Sequence, residues 1–167
     1  MAITLLVLLV IMVSKVDASD IGDLQRKVTA LKSQIDLLSR RVFFRATFKD
    51  FKTSCEFGKV VIFDTAQTNI GNAYSSTTGV FTAPYRGDYV IVWRSFSLGA
   101  GDINWDLYIN DQMALRARSL TSGDSSNESV MPVTLQAGDR VYVASPNSLN
   151  FWGLNHSIFA GWLVTAF

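Results

Sequence analysis

Reactive side chains are scarce in this 167-residue chain, and their spacing limits the chemistry open to it. His156 is the only histidine and Cys55 the only cysteine, so any Ser-His-Asp or Cys-His arrangement must use one or both. His156 ends the loop-like stretch Asn150-Phe-Trp-Gly-Leu-Asn-His156, no Gly-x-Ser-x-Gly elbow occurs, and Cys55 has no catalytic signature around it. One His and one Cys do not make a zinc site of the usual kind. Gly99-Ala100-Gly101-Asp102 lacks the Lys and Ser/Thr of a phosphate loop. The expectation is a protein that is not an enzyme.

Binding is the chemistry left. Trp152 and His156 combine an aromatic plate with a polar donor, as carbohydrate or a polar surface would want, and Tyr85-Arg86 before Gly87 forms a second candidate. The plainer alternative is that Trp152 packs beneath a loop. Two sequons, Asn127-Glu128-Ser129 and Asn155-His156-Ser157, are candidate N-glycan acceptors. The first falls in the polar stretch Thr121–Asn127, expected to be an exposed loop; the second abuts a strand. Cys55 is read either as a buried free thiol or as an interchain disulfide, because no intrachain partner exists. The net charge of +1 and the absence of a basic block beyond Arg40-Arg41 argue against nucleic acid.

The elements that must position these residues fall into three segments. Ile3–Val13 is an eleven-residue apolar run followed by Val16-x-Ala18. As a helix it rises only about 16 Å, half of a bilayer core, so residues 1–18 are expected to be a signal peptide and the mature chain to be secreted without a membrane span. Ile21, Leu24, Val28, Leu31, Ile35, Leu38 and Val42 then alternate in steps of three and four, with β-branched residues at each a position and Leu at each d. Residues 19–42 are therefore expected to form a short coiled coil, with Asp20 and Asp23 at its start and Arg40-Arg41 at its end complementing the helix dipole. The heptads alone lean towards a dimer.

From residue 43 to 167, β-prone runs recur every eight to twelve residues between turn formers. Expected strands are Val42–Phe48, Val60–Phe63, Gly79–Thr82, Asp88–Ser97, Asn104–Ile109, Met113–Ser119, Ser129–Leu135, Arg140–Ala144 and Ser157–Val164. Tyr89–Trp93 reads as a strand covered on both faces. Asn110-Asp111 and Ala137-Gly138-Asp139 read as hairpin turns, and the whole as an all-β sandwich.

One frame within this region is specific: Phe63-x5-Asn69-x4-Tyr74-x6-Phe81-x5-Gly87-x-Tyr89, with Ile91 and Trp93 after it. It resembles the signature of the globular head of complement C1q. Phe43–Ala46, Gly79-x-Phe81-Thr82-Ala83-Pro84, Leu135-x-x-Gly138-Asp139-x-Val141 and Ser157-x-Phe159-x-Gly161-Trp162-Leu163 are similar to that family's other fragments, in the same order. The resemblance implies a ten-stranded jelly roll over residues 43–167, shared with tumour necrosis factor and assembling as a homotrimer, so that residues 19–42 become a trimerisation helix. It also implies that calcium is a cofactor to consider, with Asp102 and Asp106 as the ligands that three chains could pool. No collagen repeat is present. The functional expectation is a secreted recognition protein binding carbohydrate, microbial or other extracellular ligands in innate immunity. The alternative is a signalling ligand or matrix component that binds a protein.

Overall fold

The structure, a computed structural model, describes residues 17–99 and 101–167. The expected signal peptide therefore lies, but for its last two residues, outside the described residues. The chain divides into two units between Ser39 and Arg40.

The first unit is helix α1 (Ala18–Ser39). Its first turn is closed by the Asp17 carbonyl, which accepts the amides of Asp20 and Ile21, and Asp20 places negative charge where the helix dipole favours it. Asp23 pairs with Lys27 at 2.8 Å and Arg26 at 3.4 Å, exposed pairs worth a few tenths of a kcal/mol each. Ile21 to Leu38 of the heptad lie on the helix and are exposed, from 47% for Ile21 to 86% for Leu38. Val42 does not belong with them. It is 3% exposed in the core of the second unit, and its carbonyl accepts the Leu163 amide at 3.0 Å. Sheet pairing and core burial there outcompete one more helical turn, so the coil segment stops at Ser39. Arg40-Arg41, expected at the helix end, begin the second unit instead.

That unit is a two-sheet sandwich. Its strands are β1 (Phe43–Thr47), β2 (Lys52–Cys55), β3 (Thr65–Ile70), β4 (Tyr74–Ser75), β5 (Val80–Thr82), β6 (Gly87–Ser97), β7 (Gly101–Ile109), β8 (Gln112–Thr121), β9 (Ser125–Leu135), β10 (Arg140–Ala144), β11 (Leu149–Trp152) and β12 (Ile158–Ala166). One sheet runs β2-β11-β6-β12-β1-β3, with β9 also pairing β6, and the other runs β4-β5-β10-β7-β8. This is the expected jelly-roll arrangement, with more strands than the sequence suggests and with β7, β8 and β9 longer than expected. β6 shows why it forms: Tyr89, Ile91, Trp93, Ser95 and Ser97 are buried on one face while Asp88, Val90, Val92, Arg94 and Phe96 alternate on the other, partly exposed. Only one face of β6 is fully covered, contrary to the two-sided burial expected of Tyr89–Trp93.

The signature frame is a packing and turn-locking device. Phe44 stacks between Tyr74 at 5.0 Å and Phe81 at 4.9 Å and meets Phe159 edge-on at 4.9 Å. Asn69 closes the β3–β4 turn, donating to the Tyr74 carbonyl at 2.8 Å and accepting the Tyr74 amide at 3.1 Å. The Tyr74 hydroxyl reaches the Phe63 carbonyl at 2.9 Å, the Tyr89 hydroxyl the Tyr85 carbonyl at 2.9 Å, and the Trp93 indole the Trp105 carbonyl at 3.0 Å. Each large anchor thus satisfies its polar tip on backbone that would otherwise be buried unpaired. At Gly87 any Cβ would collide with the Thr165 carbonyl oxygen, so β12 passes too close for a side chain.

Three local expectations differ. Val60–Phe63 forms only an isolated bridge between Val60 and Ala144. β2, β3, β4 and β11 are polar or short stretches that become strands because neighbours supply ladder partners. The expected loop Thr121–Asn127 is a short crossover between the sheets, since β8 runs to Thr121 beside β7 and β9 already starts at Ser125, paired with β6 along its whole length.

Candidate functional site

The two candidate binding pairs sit at opposite ends of β6. Tyr85 and Arg86 immediately precede it, whereas Phe151 pairs with its last residue, Ser97, and places Trp152 beyond that end. Eleven residues of strand span about 33 Å, so one head cannot combine the pairs into a single site.

Tyr85 and Arg86 act as a clamp where the chain enters and leaves the head. The Arg40 guanidinium lies over the Tyr85 ring at 4.7 Å and Arg86 over the Phe167 ring at 5.4 Å. The Phe167 amide donates to the Arg86 carbonyl at 3.0 Å. The Tyr85 ring is half-buried and packed on the core. What remains exposed there is the Arg86 side chain and about half of Phe167.

The distal end is richer. Trp152 meets the Phe51 ring edge-on at 4.8 Å, and His156 lies 5.9 Å from Phe51, 5.7 Å from Phe96 and 6.3 Å from Trp152. Lys52 holds its ammonium 4.8 Å from the Trp152 ring centre. The Trp152 indole donates to Asp124 Oδ2 at 2.9 Å, while Asp124 Oδ1 accepts the Gly99 amide at 2.6 Å. Trp152 is therefore a strap across three loops, and the ring left half-exposed is Phe51, at 51%. A groove of about 470 Å³ lined by Lys52, Thr53, Ser54, Leu98 and Asn150 runs alongside.

The backbone of this end is locked. Ser157 is fully buried; its hydroxyl donates to the Trp152 carbonyl at 2.6 Å and accepts the Phe96 amide at 3.0 Å. Leu154 is held at φ 47°, a left-handed conformation that costs a leucine energy. Gly153 lets the Asp50 carbonyl pass where a Cβ would clash. Phe51, Lys52, Phe96 and Asp124 were not legible as site residues. They come from three separate stretches, and no local spacing links those stretches.

Asp102 and Asp106 do not fit a calcium site. Asp106 is fully buried and accepts Arg116 Nε at 3.1 Å and Nη2 at 3.0 Å through one oxygen. Arg118 grips Asp102 in a fork, Nε at 3.0 Å from Oδ1 and Nη2 at 2.9 Å from Oδ2. Hydrogen bonding from Arg118 holds the Asp102 carboxyl below its ordinary range, and Asp106 raises Arg116 in turn. A cation would have to displace both guanidinium groups. Cys55 is half-buried and packed against the core, its Sγ 3.8 Å from the Asn147 carbonyl oxygen. The two sequons are placed oppositely: Asn127 lies within β9 opposite Ser95, and Asn155 is exposed in the short 3₁₀ turn Leu154–His156.

No helix among the described residues is long and apolar enough to cross a membrane. The fold is shared with the globular domain of zebrafish complement 1qA, at 17% identity and a TM-score of 0.65 over 77% of this chain and 100% of that one. It is shared also with Eiger TNF from S. frugiperda (14% identity, TM-score 0.66, covering 76% and 93%) and with murine APRIL (10%, 0.60, covering 75% and 100%). C1q and TNF homologues are typically trimeric, C1q-domain proteins are generally extracellular, and the domain is generally non-enzymatic. The C1q domain family matches residues 43–164, the sandwich that carries the Phe63-to-Trp93 frame, and the chain belongs to that family.

Proposed function

We propose that this chain is a secreted, homotrimeric recognition protein that binds extracellular carbohydrate or microbial surface polymers through the distal loops of its heads, in innate defence. The observation that carries it is the cluster of Phe51, Trp152, Phe96 and His156 with Lys52, on a locked backbone at the end of the head opposite chain entry. Self-assembly has its own support. Pro132, Val90, Trp162, Phe43 and Ile70 occupy one register row across β9, β6, β12, β1 and β3. Trp162 and Ile70 in that row are 38% and 40% exposed, an apolar band that a single chain leaves uncovered. The stripe Ile21–Leu38 is a second such surface, and copies of this chain cover both.

A test is binding to immobilised microbial polysaccharides, with light scattering for mass. The variant Phe51→Ser/Lys52→Ser loses most binding with the trimer intact, while Arg86→Ala binds as the parent does. Deleting residues 19–39 lowers avidity steeply and leaves the heads folded, because weak sites gain from acting together. Retained binding by the double variant refutes the distal site.

A second reading, a ligand for a protein receptor, is favoured by one detail. Lys52 lies over the Trp152 ring and Phe51 packs edge-on against it, so the exposed Phe51 ring suits a protein hot spot as well as a sugar. Capture of this chain by cell membranes that survives complete deglycosylation selects that reading.

A further inference from the structure

The fold treats the two sequons in opposite ways. Asn127 is the third residue of β9, paired with Ser95 of β6, and its Nδ2 is buried with no hydrogen-bond partner. A sugar on that nitrogen cannot be accommodated unless the side chain first swings out of its buried position. Asn155 is exposed, and its amide orientation is set by neighbours that can only donate through the atoms they present. Its Oδ1 accepts Gln67 Nε2 at 2.9 Å and Arg45 Nη2 at 3.5 Å. Its carbonyl accepts Arg94 Nη2 at 2.7 Å. An arginine donates only, so the oxygen faces the sheet and Nδ2 is the atom turned away from it.

We propose that Asn155 is the N-glycan acceptor of this chain, that Asn127 is unmodified in the folded protein, and that the Asn155 glycan lies over the free edge of β3. In the transfer, Asn155 Nδ2 forms a bond to the anomeric carbon of a lipid-diphosphate-linked oligosaccharide. The bond from that carbon to the diphosphate oxygen breaks, the lipid diphosphate leaves, and the amide gives up one proton. The product keeps Oδ1 as an acceptor, so the contacts to Gln67 and Arg45 survive modification. Gln67 belongs to β3, the last strand of the seven-stranded sheet. A sugar beginning one amide's width from Gln67 therefore covers backbone that would otherwise invite another strand.

The inference rests on the extracellular reading above, and the experiment separates the two. The full chain is exported from eukaryotic cells once with its own first eighteen residues and once behind a heterologous secretory leader. Failure of export in the first case overturns the secreted reading alone. In the second, glycopeptide mass spectrometry is expected to find sugar on the Asn155 peptide and none on the Asn127 peptide. A bare Asn155, or a glycan on Asn127 in folded protein, overturns the assignment. Asn155→Asp keeps an oxygen for Arg45 and Gln67 while removing the nitrogen. It is expected to lose the glycan, keep the parent's circular dichroism, and aggregate faster on warming. An unchanged aggregation rate overturns the edge-covering role.

Discussion

Replacing Trp162 with Thr tests whether the apolar row across the seven-stranded sheet is where the heads meet. Thr keeps β propensity, and the Trp162 side chain belongs to the outer face, so the variant head should fold. Trp162 is 38% exposed in the single chain. Taking about 250 Å² for a full Trp side chain, assembly hides about 95 Å² of it. At ~25 cal/mol per Å² that is about 2.4 kcal/mol per subunit, or about 7 kcal/mol for a trimer. Each 1.4 kcal/mol is tenfold, so the trimer dissociation constant rises by about five decades. The half-assembly concentration follows the square root of that constant, which makes the shift about 300-fold by the same conversion. Sedimentation equilibrium or mass photometry over a dilution series reads it directly. Since α1 is present in parent and variant alike, its contribution cancels. A half-assembly concentration unchanged in the variant, with the head's circular dichroism preserved, refutes the placement of the interface.

Three further outcomes follow from single residues. Val42→Asp lowers the head's unfolding temperature sharply, by about 3–5 kcal/mol of lost core packing and buried charge, whereas Leu38→Asp leaves that temperature unchanged and weakens assembly only. Burial drives the Tyr74 phenol well above its ordinary pKa. Its contribution is thus fully present below the unfolded value near pH 10 and lost as pH rises above it. Tyr74→Phe costs about 1–3 kcal/mol at pH 7 by leaving the Phe63 carbonyl unpaired, and it flattens the alkaline limb of a stability–pH curve. Arg116→Met strands the buried Asp106 carboxylate and lowers the melting temperature, and adding Asp106→Asn restores part of it, a coupling that a double-mutant cycle measures.

Strands whose pattern is intrinsic were legible. β6, β7, β10 and β12 are carried by inward-facing Tyr89, Ile91, Trp93, Leu107, Val141 and Phe159, and alternation or apolar runs announce them. β2 and β11 were not legible, because Lys52-Thr-Ser-Cys55 and Leu149-Asn-Phe-Trp152 gain strand character only by pairing with each other across about a hundred residues. The same separation hid the site. Trp152 and His156 stood out as residue types, but Phe51, Lys52, Phe96 and Asp124 join them only once β2, β11, β6 and β9 have paired within the seven-stranded sheet. Val42 shows the opposite error: its heptad spacing is real, yet sheet pairing and burial outweigh the few tenths of a kcal/mol that separate helical from extended preference.

What the sequence by itself determined is the scaffold and the scarcity of reactive groups: the Phe63-to-Trp93 frame, a heptad stripe, one histidine and one cysteine. Those are properties of residue type and local spacing. Only the tertiary structure decided which sequon is open, which loops converge, that Trp152 is a strap instead of a platform, and that Asp102 and Asp106 are already paired with Arg118 and Arg116. Each of these depends on which strands lie side by side, from the β7–β8 pairing that sets the arginines on the aspartates to the β2–β11–β6 order that gathers the distal loops, and residue type and local spacing do not specify that order.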